Sequence, residues 1–131
     1  MYTDLELEKL ADFYIKHRAE YRPAWSDKNI LSFLELHKKY DTLLAIFDKK
    51  GEPIAVSRFN IIGDTAEILD VVVDKKYRKQ QYLKTLTTIG YLKYPFLKFL
   101  RFEDDRKPDS PETTIPIEQQ LLDKAYENTI S

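Results

Sequence analysis

The stretch ILDVVVDKKYRKQQYL, residues 68–83, predicts a strand that leads through a basic segment into a helix. Its first part, up to Val73, is rich in β-branched residues and predicts a strand, whereas residues from about Arg78 onward have the spacing of a helix. Five basic side chains are expected to crowd the first turn of this helix: Lys75, Lys76, Arg78, Lys79 and Lys84. The start of a helix already carries a partial positive charge, so these cations cost stability unless an anion binds there. The junction therefore predicts an anion site, with phosphate as the expected ligand.

The residues before this stretch predict a helical hairpin and a meander of strands. Thr3 and Glu6 match a capping box, so a first helix is expected to run to about Glu20. A second helix is expected over residues 26–39, with Ile30, Phe33, Leu34 and His37 on its inward face. Three antiparallel strands are expected next, over residues 43–47, 54–62 and 65–73.

The residues after the junction predict a mixed sheet. A helix is expected from about Arg78 to Lys93, and a strand over Leu97–Phe102 follows it. A strand, a helix and a strand in this order favour a right-handed crossover with parallel strands. The expected fold is α/β (α+β), with a mainly antiparallel sheet flanked by helices. Residues 104–116 contain three prolines and predict an exposed loop, and a last helix is expected over residues 117–128.

The composition restricts the class of protein. A chain of 131 residues makes one domain, 1–131, which buries about two-thirds of its unfolded surface. The net charge of −1 argues against a whole-chain electrostatic binder of nucleic acid or membranes. No cysteine is present, and two isolated histidines do not make a metal site. The acidic amino terminus lacks a long apolar run, so a soluble cytoplasmic protein is expected.

The order of elements resembles the GNAT superfamily of N-acetyltransferases. In that family a strand ends in an apolar residue, a Tyr-Arg pair follows, and two glycines then open the helix that holds the pyrophosphate of acetyl-coenzyme A. Residues 73–78, VDKKYR, match the first half of this pattern. The second half departs from it, because Gln81 and Leu83 stand where the family has its glycines. A side chain at either place could crowd the phosphates, and Arg78, Lys79 and Lys84 could compensate through ion pairs.

The resemblance implies acetyl-CoA as cosubstrate and a set of residues that hold it. The backbone of Val71–Val73 would bind the pantetheine arm and the thioester carbonyl. The implied coenzyme-binding residues are Val71, Val72, Val73, Arg78, Lys79, Gln80, Gln81, Tyr82 and Leu83.

The resemblance also implies two catalytic residues. Glu67 would be the general base, and strand alternation is expected to place it on one face with Leu69, Val71 and Val73. Tyr126 would protonate the leaving sulfur. The alternatives are that Glu67 is an ordinary surface residue and that Tyr126 only packs in an amphipathic helix.

Other polar and aromatic residues carry alternative interpretations. Asp70 lies in an apolar strand, so it either faces a wet cleft or meets a cation, and it is the reserve candidate for the base. His37 is expected to be a packed histidine or a groove residue rather than a catalyst. Trp25 could line the acceptor groove or anchor the helical hairpin. Tyr77 and Tyr82 beside the lysines could stack nucleobases, although nucleic acid is not an expected partner.

The carboxy-terminal part departs from the family pattern. The family closes its sheet with two further strands after the last helix, and this sequence ends at Ser131 without them. The predicted fold is therefore truncated there, with an uncovered edge at Leu97–Phe102. We expect either a homodimer that pairs through this edge or a carboxy-terminal tail that covers it.

Two functions remain open from the sequence. The first is an acyl-CoA-dependent N-acyltransferase, an enzyme acting on an amine of a small molecule or a protein. The second is a non-catalytic GNAT-like binding or interaction protein, such as a phage or mobile-element accessory protein. No membrane or metal is expected to take part in either.

Overall fold

The computed structural model describes residues 2–21, 25–78, 80–102 and 113–117. Three α-helices and five strands lie in this part of the chain. The helices are α1 (Asp4–Tyr21), α2 (Asp27–Lys39) and α3 (Tyr82–Lys93). The strands are β1 (Leu43–Phe47), β2 (Pro53–Ile62), β3 (Thr65–Val73), β4 (Phe99–Phe102) and β5 (Thr113–Pro116). A short 3₁₀ turn, Lys75–Tyr77, lies between β3 and α3.

The predicted helical hairpin is confirmed, and side chains cap both of its helices. Thr3 Oγ1 accepts from the backbone N–H of Glu6 at 3.1 Å, and Glu6 Oε1 accepts from the N–H of Thr3 at 3.0 Å. Ser26 caps α2 by accepting from the N–H of Asn29. These bonds satisfy backbone donors that a helix start would otherwise leave unpaired.

The predicted mixed sheet is also confirmed. Its strand order is β1-β2-β3-β4-β5. The pairs β1–β2 and β2–β3 are antiparallel, β3 and β4 are parallel, and β4 and β5 are antiparallel. Helix α3 makes the crossover between the two parallel strands, as the sequence predicts.

Two layers of helices cover the two faces of this sheet. Helices α1 and α2 pack on one face, which we call the α1/α2 face, around Leu10, Tyr14, Ile30, Leu34, Val56 and Val72. Helix α3 packs on the other, the α3 face, around Ala55, Phe59, Ala66, Ile68, Leu86 and Leu100. No described helix is long and apolar enough to cross a membrane.

The start of α3 differs from the prediction. The helix begins at Tyr82 rather than near Arg78, because the 3₁₀ turn and an extended Arg78 occupy the preceding residues. Of the predicted cations that the structure describes, only Lys84 lies in the first turn of α3, so the predicted crowding of that turn is wrong. The strand after α3 begins at Phe99, two residues later than predicted.

The predicted loop over residues 104–116 is wrong at its end. Thr113–Pro116 forms β5, which pairs with β4 from Phe99↔Pro116 to Phe102↔Thr113. This strand covers the edge of β4 that was expected to pair with a second chain. The covered edge is the second of the two predicted outcomes, and β4, paired with β3 and β5 on its two sides, offers no edge to a second chain over Phe99–Phe102. The predicted last helix lies outside the described residues beyond Ile117.

Candidate active site

A β-bulge in β3 sets the geometry of the site. In the pairing of β2 with β3, Arg58 lies opposite Asp70 and Phe59 lies opposite Ile68, so Leu69 is an extra residue. An extra residue interrupts the alternation of side chains along a strand. Ala66 and Ile68 lie on the α3 face before the bulge, and Val71 and Val73 lie on it afterwards. Glu67 consequently lies on the opposite face from Val71 and Val73, and the predicted common face is wrong.

The second half of β3 extends beyond its pairing with β4. The parallel ladder joins Thr65↔Phe99 through Ile68↔Phe102 and stops there in the described residues. Val71 and Val73 are half-buried on the α3 face, whereas Val72 is buried on the α1/α2 face. The segment that the resemblance assigns to the coenzyme arm therefore lies past the end of this ladder.

The loop after β3 is organised by Asp74. Its Oδ1 accepts from the backbone N–H of Lys76 at 3.0 Å, and its Oδ2 lies 3.5 Å from Nζ of Lys16 in α1. The N–H of Lys76, and then the charge of Lys16, hold the pKa of this carboxyl below its ordinary value despite some burial. Asp74 thus caps the 3₁₀ turn and connects the loop to α1.

Arg78 lies at the end of β3. Its Nε donates to the carbonyl of Val73 at 3.1 Å, and the residue is exposed. The guanidinium is therefore directed back toward the strand terminus, next to the start of α3. Lys79, the next predicted coenzyme contact, lies outside the described residues.

Gln81 has an unusual backbone conformation at the N-cap of α3. Its φ is 62° and its ψ is 30°, in the left-handed region that favours glycine. The residue stands where the GNAT pattern has its first glycine, and the backbone there has a glycine-like conformation although the side chain is glutamine. The backbone at Gln81 therefore already has the conformation that the glycine of the GNAT pattern would adopt, and only the side chain differs.

The N-terminus of α3 differs from those of the other two described α-helices. Gln81 makes no side-chain cap, and the first turn of α3 contains no acidic residue. Both α1 and α2 have a capping side chain and an acid in the first turn. Backbone N–H groups at an uncapped helix start, together with the helix dipole, favour an anion. This geometry suits a phosphate group.

The remaining predicted coenzyme contacts surround this helix start. The rings of Tyr77 and Tyr82 meet edge to face with centroids 6.0 Å apart, which packs the loop against the helix. Gln80 Nε2 donates to the carbonyl of Lys76 at 3.5 Å. Leu83 contributes to a small apolar cavity between α3 and the sheet. Its side chain is therefore directed under the helix rather than toward the loop.

Glu67 lies in an ion pair that the sequence analysis missed. Arg101, its register partner on β4, donates from Nη2 to Glu67 Oε2. The side chain of Glu67 is 12% exposed, so it is not an ordinary surface residue. Opposite charges at facing positions of parallel strands are the signal that could have identified Arg101.

Asp70 meets a cation, which is one of the two predicted outcomes. Its Oδ2 accepts from Arg58 Nε at 2.9 Å and Nη2 at 2.6 Å, and its Oδ1 accepts from the Tyr14 hydroxyl at 2.6 Å. The side chains of Arg58 and Asp70 are each 5% exposed. Both carboxylate oxygens are thus occupied by protein donors, which argues against Asp70 as the reserve base.

Aromatic residues enclose the guanidinium of Arg58. It lies 4.8 Å from the ring centre of Trp25 and 5.2 Å from that of Phe33. Trp25 also accepts from Arg18 at its carbonyl, so it anchors the helical hairpin. A groove of about 710 Å³ lies beside this cluster, lined by Phe33, Leu36, Tyr40, Asn60, Ile62 and Leu69 among others. Asn60 is the register partner of Glu67, so the groove lies close to that carboxylate.

His37 is a packed histidine, as predicted. Its Nδ1 lies 2.7 Å from Thr42 Oγ1, and the residue is buried. Burial, and then the charge of Arg58, lower the pKa of its imidazole. Tyr126, the predicted acid, lies outside the described residues, and no metal-binding cluster of acidic and histidine side chains occurs within them.

Comparison with known proteins identifies the family. A model described as the acetyltransferase (GNAT) family matches residues 10–88, more than half of the chain. The chain belongs to the GNAT acetyltransferase family. A search of curated proteins gave no match.

Solved GNAT structures share the fold at low sequence identity. A PaiA N-acetyltransferase from Thermoplasma acidophilum, in complex with coenzyme A, is 18% identical with a TM-score of 0.53, over 79% of this chain and 76% of that one. A GNAT family N-acetyltransferase from Escherichia coli, in complex with CoA, is 15% identical with a TM-score of 0.53, over 77% of this chain and 58% of that one. A spermidine N-acetyltransferase from Vibrio cholerae, in complex with CoA and spermine, is 13% identical with a TM-score of 0.53, over 77% of this chain and 66% of that one.

This GNAT chain thus spans 58% of the length of the E. coli protein. The family match includes α2, the whole meander and the first half of α3. It therefore includes the bulge, the 3₁₀ turn and the uncapped helix start.

Proposed function

We propose that this protein is an acyl-CoA-dependent N-acyltransferase that uses acetyl-CoA as cosubstrate. The observation that carries the proposal is the uncapped start of α3, which follows the end of β3 in a GNAT domain and lacks any acidic residue in its first turn. The solved GNAT neighbours with bound CoA support the choice of coenzyme. The pyrophosphate would accept hydrogen bonds from backbone amides at the start of α3, and Arg78 would add charge-assisted contacts.

The proposed reaction needs a base, a polarised carbonyl and an acid. The amine nitrogen attacks the thioester carbonyl carbon, the C–S bond breaks, and an amide and coenzyme A thiolate form. Glu67 accepts the amine proton at Oε1, while Arg101 holds Oε2. Backbone N–H groups of Val71–Val73 polarise the carbonyl, and Tyr126 gives a proton to the thiolate. These roles follow the resemblance residue by residue.

The proposed acceptor is a primary amine. Glu67 lies on the α1/α2 face, and the groove beside Asn60 on that face is mainly apolar, with Arg58 neutralised by Asp70. The Vibrio cholerae relative was solved with spermine, a polyamine. Turnover on small amines or on peptide amino termini distinguishes a small-molecule acceptor from a protein acceptor.

A thermal-shift titration with acetyl-CoA tests the proposal. A ligand at about 100 times its Kd stabilises the folded state by about 2.7 kcal/mol. Arg78→Ala should weaken this binding about tenfold or more, because a charge-assisted contact is worth about 1.5–3 kcal/mol. Lys98→Ala is the matched control, since Lys98 is an exposed cation at the opposite end of the sheet, next to the start of β4. Absence of any shift at millimolar acetyl-CoA would overturn the proposal.

Turnover is measured separately with a panel of amines and a thiol-detecting reagent. Release of coenzyme A that depends on an added amine supports the enzyme and identifies the acceptor class. Binding of acetyl-CoA without turnover on small amines, polyamines or peptide amino termini would reject catalysis and leave only the coenzyme site.

A further inference from the structure

The buried pair of Arg58 and Asp70 lies directly beside the β-bulge. These two residues are register partners immediately on the carboxy-terminal side of the extra residue Leu69. Arg58 contacts Asp70 Oδ2 through two nitrogens, and each side chain is 5% exposed. The ion pair is therefore placed at the point where the pairing of β2 and β3 changes register.

Two further bonds hold the backbone and the helix layer to the same point. Ser57 Oγ donates to the carbonyl of Asp70 at 2.9 Å. The Tyr14 hydroxyl of α1 donates to Asp70 Oδ1 at 2.6 Å, and Tyr14 is 1% exposed. Both carboxylate oxygens of Asp70 are thus engaged from the α1/α2 face, whereas Ser57, which lines the cavity under α3, holds its backbone carbonyl from the other face.

We propose that Arg58, Asp70 and Tyr14 form a lock that specifies the bulge and thereby the orientation of Val71 and Val73 toward the α3 face. The inference rests on the proposed function where it concerns the coenzyme, since the same stretch of β3 would bind the pantetheine arm. These three are positioning residues, because they contact the strand and not the reacting atoms.

The polar chemistry of Asp70 explains why the lock selects one register. In an uninterrupted strand, Asp70 would share a face with Ala66 and Ile68, which lie in the apolar cluster under α3. A carboxylate buried there without a partner is strongly disfavoured. One extra residue moves Asp70 to the α1/α2 face, where Arg58 and Tyr14 satisfy it. The same extra residue moves Val71 and Val73 to the α3 face.

Stability alone does not account for such a pair. Replacing a buried ion pair by well-packed apolar residues is often neutral or stabilising, and the best-attested use of buried polar groups is to fix a register. A lock for register and a pair for stability therefore predict different results when both partners become apolar. This difference provides the test.

The decisive variant is the double substitution Arg58→Met with Asp70→Leu. It removes the register preference while avoiding an unpaired buried charge, so a denaturation midpoint close to that of the unmodified protein shows that it folds. We expect its Val71 and Val73 amides to lose their single set of NMR signals or to exchange faster with solvent. We also expect the Kd for coenzyme A to weaken about tenfold or more, equivalent to about 1.4 kcal/mol.

Two single variants complete the test. Tyr14→Phe keeps the ion pair and should give a smaller change of the same kind. Thr42→Val removes the buried hydrogen bond to His37 and keeps the backbone bond from the N–H of Phe59 to the carbonyl of Thr42. It should lower the denaturation midpoint and leave both the β3 signals and the coenzyme Kd unchanged.

The outcomes separate this proposal from the proposed function. A double variant whose β3 amides and coenzyme Kd match those of the unmodified protein would overturn the lock. A double variant that does not fold would also overturn it, because the pair would then be needed for stability itself. If the unmodified protein binds no coenzyme, the proposed function fails, and the NMR comparison of β3 still decides the lock.

Discussion

Replacing Gln81 by glycine should stabilise this protein. Glycine normally destabilises when it replaces another residue, because the unfolded chain gains conformational freedom. Gln81 is an exception because its φ of 62° is a conformation that glycine adopts without strain. Its side chain makes no cap on α3 and is exposed, so removing it costs little stability.

The magnitude follows from two opposing contributions. A non-glycine residue in the left-handed region costs about 1–2 kcal/mol. The additional unfolded-state entropy of glycine costs about 0.5–1 kcal/mol. The net gain in the free energy of unfolding is therefore about 0.5–1 kcal/mol, which raises Tm by about 2–4 °C in a chain of this size.

Urea denaturation followed by circular dichroism measures this gain, with Gln80→Gly as the matched control. Gln80 is also exposed, and its φ is not positive, so glycine there should cost about 0.5–1 kcal/mol. The two variants should thus differ by about 1–2 kcal/mol in opposite directions. If Gln81→Gly destabilises as much as Gln80→Gly does, the backbone argument for this loop is refuted.

Three further predictions concern other parts of the structure. Glu67→Gln, which can still hydrogen-bond to Arg101, should lower kcat about 10²-fold or more with an unchanged coenzyme Kd, and steady-state kinetics with an unaltered kcat would reject Glu67 as base. His37 has a lowered pKa from burial, so the unfolded chain takes up its proton first and stability falls as pH decreases below about 6.5. His37→Gln should weaken the pH dependence of the urea midpoint between about pH 7.5 and 5.5, a window above the titration of the carboxyls. An unchanged pH dependence would contradict the role given to His37. Gly90→Val should destabilise by about 1–3 kcal/mol in the same assay, because a Cβ there meets Leu44 Cδ1 at 3.2 Å; a variant as stable as the parent would show that Leu44 yields freely.

The helices and the meander could be predicted because local signals and periodicity agree there. Thr3 and Glu6 form the capping box that their spacing predicts, and the three strands end within a residue of their predicted bounds. The crossover through α3 also followed from the order of elements. Each of these features depends on residues close together in the sequence.

The bulge, the ion pairs and β5 depend on contacts between distant residues. Strand alternation places Glu67 with Val73, and only the pairing with β2 reveals the extra residue that separates them. Arg101 and Glu67 are 34 residues apart in the sequence, and Tyr14 and Asp70 are 56 residues apart. The prolines near Thr113–Pro116 favoured a loop, but Pro116 ends an edge strand, where a missing N–H is tolerated.

Asp70 and Gln81, a carboxylate in an apolar strand and a glutamine with positive φ, both indicate that the backbone near the end of β3 is held in place. Asp70 is retained in an apolar strand by three protein partners, and Gln81 is retained in a strained conformation while its carbonyl accepts from the N–H of Thr85 at 3.1 Å. Strained residues persist where the surroundings determine them, and they cluster at binding and catalytic sites. Asp70 directly precedes Val71, and Gln81 directly precedes α3, so the backbone is fixed where β3 resumes after the bulge and where α3 begins. A backbone fixed in this way is what a site built from N–H groups rather than side chains requires.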